Sequence, residues 1–302
     1  MKKRRAVLLL AVSILVSATT SLFAQEPPST TEVSIQEDSS SGGLGISNSL
    51  LPGNTLSFLS CEGILFGEPT TATPLFAMDV SADPNAPGAH WTVKDNTYSY
   101  TWQYPEGIKL EFAGTVTKSG LQLRYTLTNT TEKTLRRVLL HTCIPTTDAP
   151  VFFPGETKSL AENKGRVGRY MGLYNRTYLW NKGKSFTFTE TELGKEEIHL
   201  SFMREGSKPL QWEWWINGPE TYDYPFIAVQ SKDAAFTTAL GFEDGNWASI
   251  NSGDERACYH LFPAFGDIEP GKSSTVRGIF YMMPGTSEDA LKQFRKDYPD
   301  VE

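Results

Sequence analysis

The fold turns on Gly120-Leu121-Gln122-Leu123-Arg124-Tyr125-Thr126-Leu127-Thr128-Asn129-Thr130-Thr131. Apolar residues stand at every second position from Leu121 to Leu127, so an extended chain carries Leu121, Leu123, Tyr125 and Leu127 on one face. Gln122, Arg124 and Thr126 take the other face, the pattern of a strand with one dry side and one wet side. Asn129-Thr130-Thr131-Glu132 then supplies the residues of a turn.

The same rhythm continues in both directions. Upstream, Thr97-Tyr98-Ser99-Tyr100-Thr101-Trp102 alternates, and Pro105-Glu106-Gly107 turns the chain into Ile108-Lys109-Leu110-Glu111-Phe112. Downstream, strands are expected at 135–143, 184–189, 197–203, 210–216, 225–230, 235–242, 256–262 and 273–283. Pro270-Gly271 introduces the last of them, and Pro284-Gly285 ends it. One helix follows: Thr286 caps it, Glu288 and Asp289 suit its positive end, and Leu291, Phe294 and Tyr298 form an apolar stripe before Pro299. With no alternation of strand and helix and no repeat of fixed period, the expectation is an all-β protein. Its architecture is expected to be a large two-sheet antiparallel β-sandwich with the one C-terminal helix packed outside a sheet.

Residues 1–24 have the layout of a signal peptide. A basic cluster, Lys2-Lys3-Arg4-Arg5, precedes an apolar run from Ala6 to Ala24, with cleavage expected after Ala24. The competing reading is an uncleaved anchor, which would be the protein's only attachment to a membrane. Residues 25–49 are rich in Pro, Ser, Thr, Glu and Gly and read as a flexible linker, leaving 50–302 as a single β-sandwich domain. Loss of the four early positives leaves 24 basic residues against 35 acidic, a net charge of about −11. Such a surface repels phosphate backbones, so nucleic acid is not an expected partner. A local basic pocket around Arg166, Arg169 and Arg176 remains compatible with that charge. No glycine-rich phosphate loop, Gly-x-Ser-x-Gly elbow or His-Glu-x-x-His helix occurs, so no nucleotide cofactor and no zincin or lipase chemistry is expected. Asn129 and Asn175 match the glycosylation acceptor pattern.

Candidate chemistry gathers on a few segments. His141-Thr142-Cys143 and Cys258-Tyr259-His260 mirror each other, and in strands each presents an imidazole and a sulfur on one side. Three readings stay open for this pair: buried core thiols, a Cys143–Cys258 disulfide, or four convergent ligands suited to zinc or copper. Cys61 is the third, odd cysteine. His260 is the leading acid/base candidate, with acidic neighbours at Asp254 and Glu255 and with Arg256 to hold a carboxylate or hydroxyl. In Trp212-Glu213-Trp214-Trp215, alternation groups Trp212 with Trp214 and Glu213 with Trp215, pairing an indole platform with a carboxylate. Glu243-Asp244-Gly245-Asn246-Trp247 reads as a loop, either a hairpin turn or a carrier of a carboxylate and Trp247 to a pocket.

The strand Gly120–Thr131, together with Gly266-Asp267-Ile268-Glu269-Pro270-Gly271-Lys272, resembles the galactose mutarotase-like β-sandwich (supersandwich) superfamily and secreted bacterial proteins of that type. The resemblance implies a supersandwich whose concave face binds sugars and, in the enzymes, an acid/base pair of His with Glu or Asp. The Asn-His motif of the mutarotases is absent from this sequence. The resulting expectation is an exported, secreted or periplasmic carbohydrate-binding β-sandwich that needs no cofactor, with Arg256, Trp212, Trp214, Trp247 and His141 on the ligand. One alternative is a sugar-active enzyme of the epimerase, lyase or hydrolase class using His260 with Glu213 or Glu243. The other is a structural or interaction module of the cell envelope.

Overall fold

The computed structural model describes residues 33–38, 43–67, 73–75, 91–104, 107–118, 120–152, 176–187, 199–207, 215–251 and 257–301. Within the compact unit Thr31–Glu302, the strands in chain order are β1 (Val33–Asp38), β2 (Gly43–Asn48), β3 (Thr55–Phe66), β4 (Thr73–Leu75), β5 (Thr92–Lys94) and β6 (Thr97–Tyr104). They continue with β7 (Ile108–Val116), β8 (Gly120–Asn129), β9 (Leu135–Pro145), β10 (Thr177–Asn181), β11 (Lys184–Thr187) and β12 (His199–Arg204). The last six are β13 (Trp215–Tyr222), β14 (Phe226–Gln230), β15 (Phe236–Phe242), β16 (Gly245–Asn251), β17 (Cys258–Ile268) and β18 (Ser273–Pro284), and helix α1 (Ser287–Asp297) follows. The first sheet runs β1-β2-β3-β9-β17-β16-β12-β13, with β4 beside β3; the second runs β11-β10-β14-β15-β18-β8-β7-β6-β5. The protein is therefore an all-β sandwich with one C-terminal helix. Among the described residues all pairings are antiparallel except β12 with β13.

Alternation in β8 is realised as expected: Leu121, Leu123, Tyr125 and Leu127 are buried, and Gln122 and Arg124 are exposed. Burying each such side chain stabilises by roughly 1.5–3 kcal/mol. The layer between the sheets is aromatic. Phe58 of β3 meets Phe112 of β7 at 6.1 Å and Phe280 of β18 at 5.9 Å, joining the two sheets directly. Gly120 has φ 151°, and a Cβ there would lie 1.9 Å from the Phe280 carbonyl oxygen, so the close approach of β8 to β18 requires glycine.

Three expectations are corrected. Residues 33–38 and 43–48, assigned to the linker, form β1 and β2 at the edge of the first sheet, with Val33, Leu44 and Ile46 buried. Their few apolar residues alternate with polar ones at the period of a strand, and pairing to β3 satisfies the backbone. Strand β3 itself has no counterpart among the expected strands, because it is buried along nearly its whole length and its apolar residues keep no steady alternation. The turn at Asp244-Gly245 is not a hairpin: β15 lies in the second sheet and β16 in the first, so the chain crosses between layers there. Asn129–Lys133 and Pro270-Gly271 mark crossings of the same kind. Asn129 binds the Lys133 and Ile268 carbonyls at 2.7 and 2.9 Å and is fully buried, which closes it to glycosylation. Residues 1–32 and Asn175 lie outside the described residues.

Helix α1 packs outside the second sheet, as expected. Phe294 stacks on Phe226 at 5.0 Å, and a Cβ at Gly241 would lie 2.4 Å from the Phe294 ring, so β15 leaves a seat for the helix. The Thr286 and Asp289 side chains each bond the other's backbone N–H, a capping box.

Candidate functional site

The centre of the first sheet is buried on both faces. On β9 and β17, Leu140, Ile144, Tyr259 and Leu261 point into the inter-sheet core. His141, Cys143, Cys258, His260 and Phe262 alternate with them and therefore occupy the opposite face. On that face Leu65, Leu139, Trp247, Phe262 and Ala264 form one apolar cluster, and Leu59, Cys143 and Cys258 form another. The polar groups lie within this second layer.

Register decides which of them meet. Cys258 pairs with Pro145 and Tyr259 with Ile144, which sets His260 opposite Cys143. On the other flank, Ser249 of β16 pairs with His260. The two mirrored segments thus do converge. The His141 and His260 rings stand 4.6 Å apart, and His141 stacks nearly parallel on Phe262 at 4.6 Å. His260 Nε2 lies 3.3 Å from Cys258 Sγ, and its Nδ1 lies 3.0 Å from Ser249 Oγ.

The carboxylate at this cluster is Glu62. Pairing between β3 and β9 shifts register between Leu59 and Gly63, and the irregularity contains Glu62. Its Oε2 lies 3.5 Å from His141 Nδ1 and 3.9 Å from His260 Nε2. Its side chain is 31% exposed, against 10% for His141 and 3% for His260, so solvent reaches the cluster at Glu62. Burial opposes a charge on His260, but the charge and hydrogen bond of Cys258, with Glu62 and Ser249 adding to them, outweigh it and raise its pKa. Burial, reinforced by Cys258 and then Glu62, pushes the Cys143 thiol well up. None of the three cysteines is in a disulfide, and Cys61 points to the other face, where it contacts Tyr104 Oη at 3.4 Å.

Other expected site residues are placed elsewhere. Glu243 pairs with Arg277 of β18, and its carboxylate also accepts from the Arg277 backbone N–H at 3.2 Å. It lines an open groove of about 560 Å³ on the second sheet with Arg124, Arg277, Asp297 and Tyr298. Trp247 is buried under the cluster face beside Met203, not offered as a platform. Arg176 donates to the Gln230 and Phe152 carbonyls, both at 2.9 Å. Glu213, Trp212, Trp214, Arg256, Asp254, Glu255, Arg166 and Arg169 lie outside the described residues. Glu62 and Ser249 are the members the sequence reading missed. A lone acid inside Leu56-Ser57-Phe58-Leu59-Ser60-Cys61-Glu62-Gly63-Ile64-Leu65-Phe66 was the available signal, since an ionised group in such a run calls for partners.

No family model and no curated protein matches the chain. Solved structures do resemble it. A galactose mutarotase related enzyme from Lactobacillus acidophilus is 8% identical, with 85% of this chain and 96% of that one covered at a TM-score of 0.46. A galactose mutarotase-like protein from Clostridium acetobutylicum is 10% identical, with 84% and 94% covered at 0.44. An α-N-acetylgalactosaminidase from Bifidobacterium bifidum is 8% identical, with 90% of this chain and 38% of that one covered at 0.43. The chain is similar in fold to galactose mutarotase-like proteins.

Proposed function

We propose that this is an exported carbohydrate-binding β-sandwich protein whose ligand meets the first sheet at Glu62, with His141 and His260 behind it. The observation that carries the reading is the placing of Glu62 Oε2 3.5 and 3.9 Å from two imidazoles, with the carboxylate as the member solvent reaches. A carboxylate accepts hydrogen bonds from hydroxyls, and imidazole nitrogens donate or accept them, which is the equipment a polyol needs. The sugar class rests on the resemblance of the Gly120–Thr131 strand, and export rests on the Met1–Ala24 segment. The same contact favours a second reading. A carboxylate and an imidazole within reach of each other can pass a proton to and from a sugar oxygen or carbon, so an acid/base enzyme would use Glu62 where Glu213 or Glu243 was expected.

Glycan-array binding and calorimetry on the whole protein test both readings. Expected is binding of a sugar that weakens about tenfold or more in Glu62→Gln and His141→Gln, the scale of one charge-assisted hydrogen bond, and that is unchanged in Arg277→Ala. Loss in Arg277→Ala instead would move the ligand to the groove on the second sheet. Absence of binding to every glycan would overturn the proposal. Polarimetry on a bound aldose then separates binding from turnover, which the enzyme reading requires and Glu62→Gln should abolish. N-terminal sequencing of exported protein should begin at Gln25; retention of Met1 would overturn cleavage.

A further inference from the structure

We propose that Cys143, Cys258 and His260 form a binding site for a thiophilic d10 cation, zinc(II) foremost. Their ligand atoms lie within 4.8 Å of one another, and all three residues are buried. Cys258 Sγ and His260 Nε2 are 3.3 Å apart. Around a tetrahedral zinc, with bonds of about 2.3 Å to sulfur and about 2.05 Å to nitrogen, a sulfur and a nitrogen stand about 3.6 Å apart and two sulfurs about 3.8 Å. The Cys258–His260 distance is thus close to one edge of that tetrahedron, and the remaining donor separations lie within 4.8 Å, about an ångström above the other edges at most.

Three further features support the site. The donors come from two adjacent central strands, Cys258 and His260 from one face of β17 and Cys143 from the facing position on β9, so a rigid sheet fixes their spacing. Ser249 Oγ holds His260 Nδ1 at 3.0 Å, which orients the ring so that Nε2 faces the sulfurs, as outer partners of metal-bound histidines do. Glu62 Oε2 lies 3.9 Å from Nε2 on the solvent side, the direction from which an ion and a fourth ligand can reach the site. Two sulfurs and an imidazole suit zinc or copper(I) and disfavour calcium and magnesium, which take oxygen ligands. The proposal does not depend on the sugar reading, and its test uses no Glu62 variant.

The whole protein, reduced and stripped of metal by chelation, is titrated with cobalt(II) and then zinc(II). Expected are one ion per chain, a near-ultraviolet sulfur-to-cobalt charge-transfer absorption, its loss as zinc displaces cobalt, and slower alkylation of Cys143 and Cys258 in the zinc form. Cys143→Ser, Cys258→Ser and His260→Gln should each raise the zinc dissociation constant at least about a hundredfold, a second-sphere change costing less. Cys61→Ser, on the other face, should bind as the parent does. If circular dichroism shows a variant unfolded, the parent's cobalt spectrum and alkylation pattern decide. A parent without the charge-transfer absorption, a Cys258→Ser variant that keeps it, or a Cys143–Cys258 disulfide in the protein taken from its native compartment would overturn the proposal.

Discussion

Glu62 and Cys61 are sequence neighbours with opposite surroundings, because adjacent side chains of a strand face opposite ways. Cys61 faces the inter-sheet core, where burial pushes its thiol up to about 12. At pH 8 it is protonated, so a thiol reagent should leave it unmodified in the native protein and label it fully on unfolding, as peptide mass spectrometry would show. Asn129 illustrates another residue whose type was visible and whose role was not. Its sequon invites a glycan, yet its amide donates to two carbonyls and its Oδ1 accepts from the Thr131 backbone N–H at 2.9 Å and from the Thr131 hydroxyl at 2.7 Å. Asn129→Ala should cost about 2–3 kcal/mol in denaturant unfolding, the scale of leaving buried partners unmet. From the sequence, His141, Cys143, Cys258 and His260 could be matched in pairs by their two-residue spacings. Glu62 could not, because it arrives from a strand far away in the chain, and Ser249, although on the neighbouring strand, is brought opposite His260 only by the register of pairing.

Helix α1 is the element most fully written in local residues. Its cap, acidic first turn, apolar stripe and stop were all visible, and Thr286→Ala should lower stability by about 1 kcal/mol. Bonds from the Thr286 backbone N–H and then its hydroxyl hold the Asp289 carboxyl below the usual carboxylate range. A depressed folded pKa means that its contribution is present above about pH 3.9, the unfolded value, and is lost as pH falls through the folded value. A nuclear magnetic resonance titration should show the Asp289 side chain titrating below 3.9 with α1 amides following it, and Asp289→Asn should remove that dependence. The opposite case is β3, whose near-continuous burial erases the period-two signal that revealed β8. A strand covered on both faces looks from sequence like any apolar run.

Across the whole molecule, the edge formed by β1 and β2 is part of the folded body. Removing residues 1–49 would uncover Phe58 and Leu56 of β3, both fully buried, and leave its edge unpaired. Such a truncation should lower the melting temperature sharply or aggregate, whereas removal of residues 1–24 should leave the melt unchanged; equal melts would return residues 33–48 to the role of a tether. The turns at Asn129, Asp244-Gly245 and Pro270-Gly271 carry the chain from one sheet to the other, and residue types that favour a turn do not encode which layer comes next. By itself the sequence determined the all-β class, the wet and dry faces of β8, and helix α1 with its limits, because each follows from side-chain period and local backbone preference. Only the tertiary structure decided that β3, β9, β17 and β16 lie side by side, that the centre of the first sheet is buried on its outer face as well, and that Glu62 meets two histidines there. Those facts depend on hydrogen-bond register between strands as far apart in the chain as Leu135 and Ile268, and no local pattern carries register across such a distance.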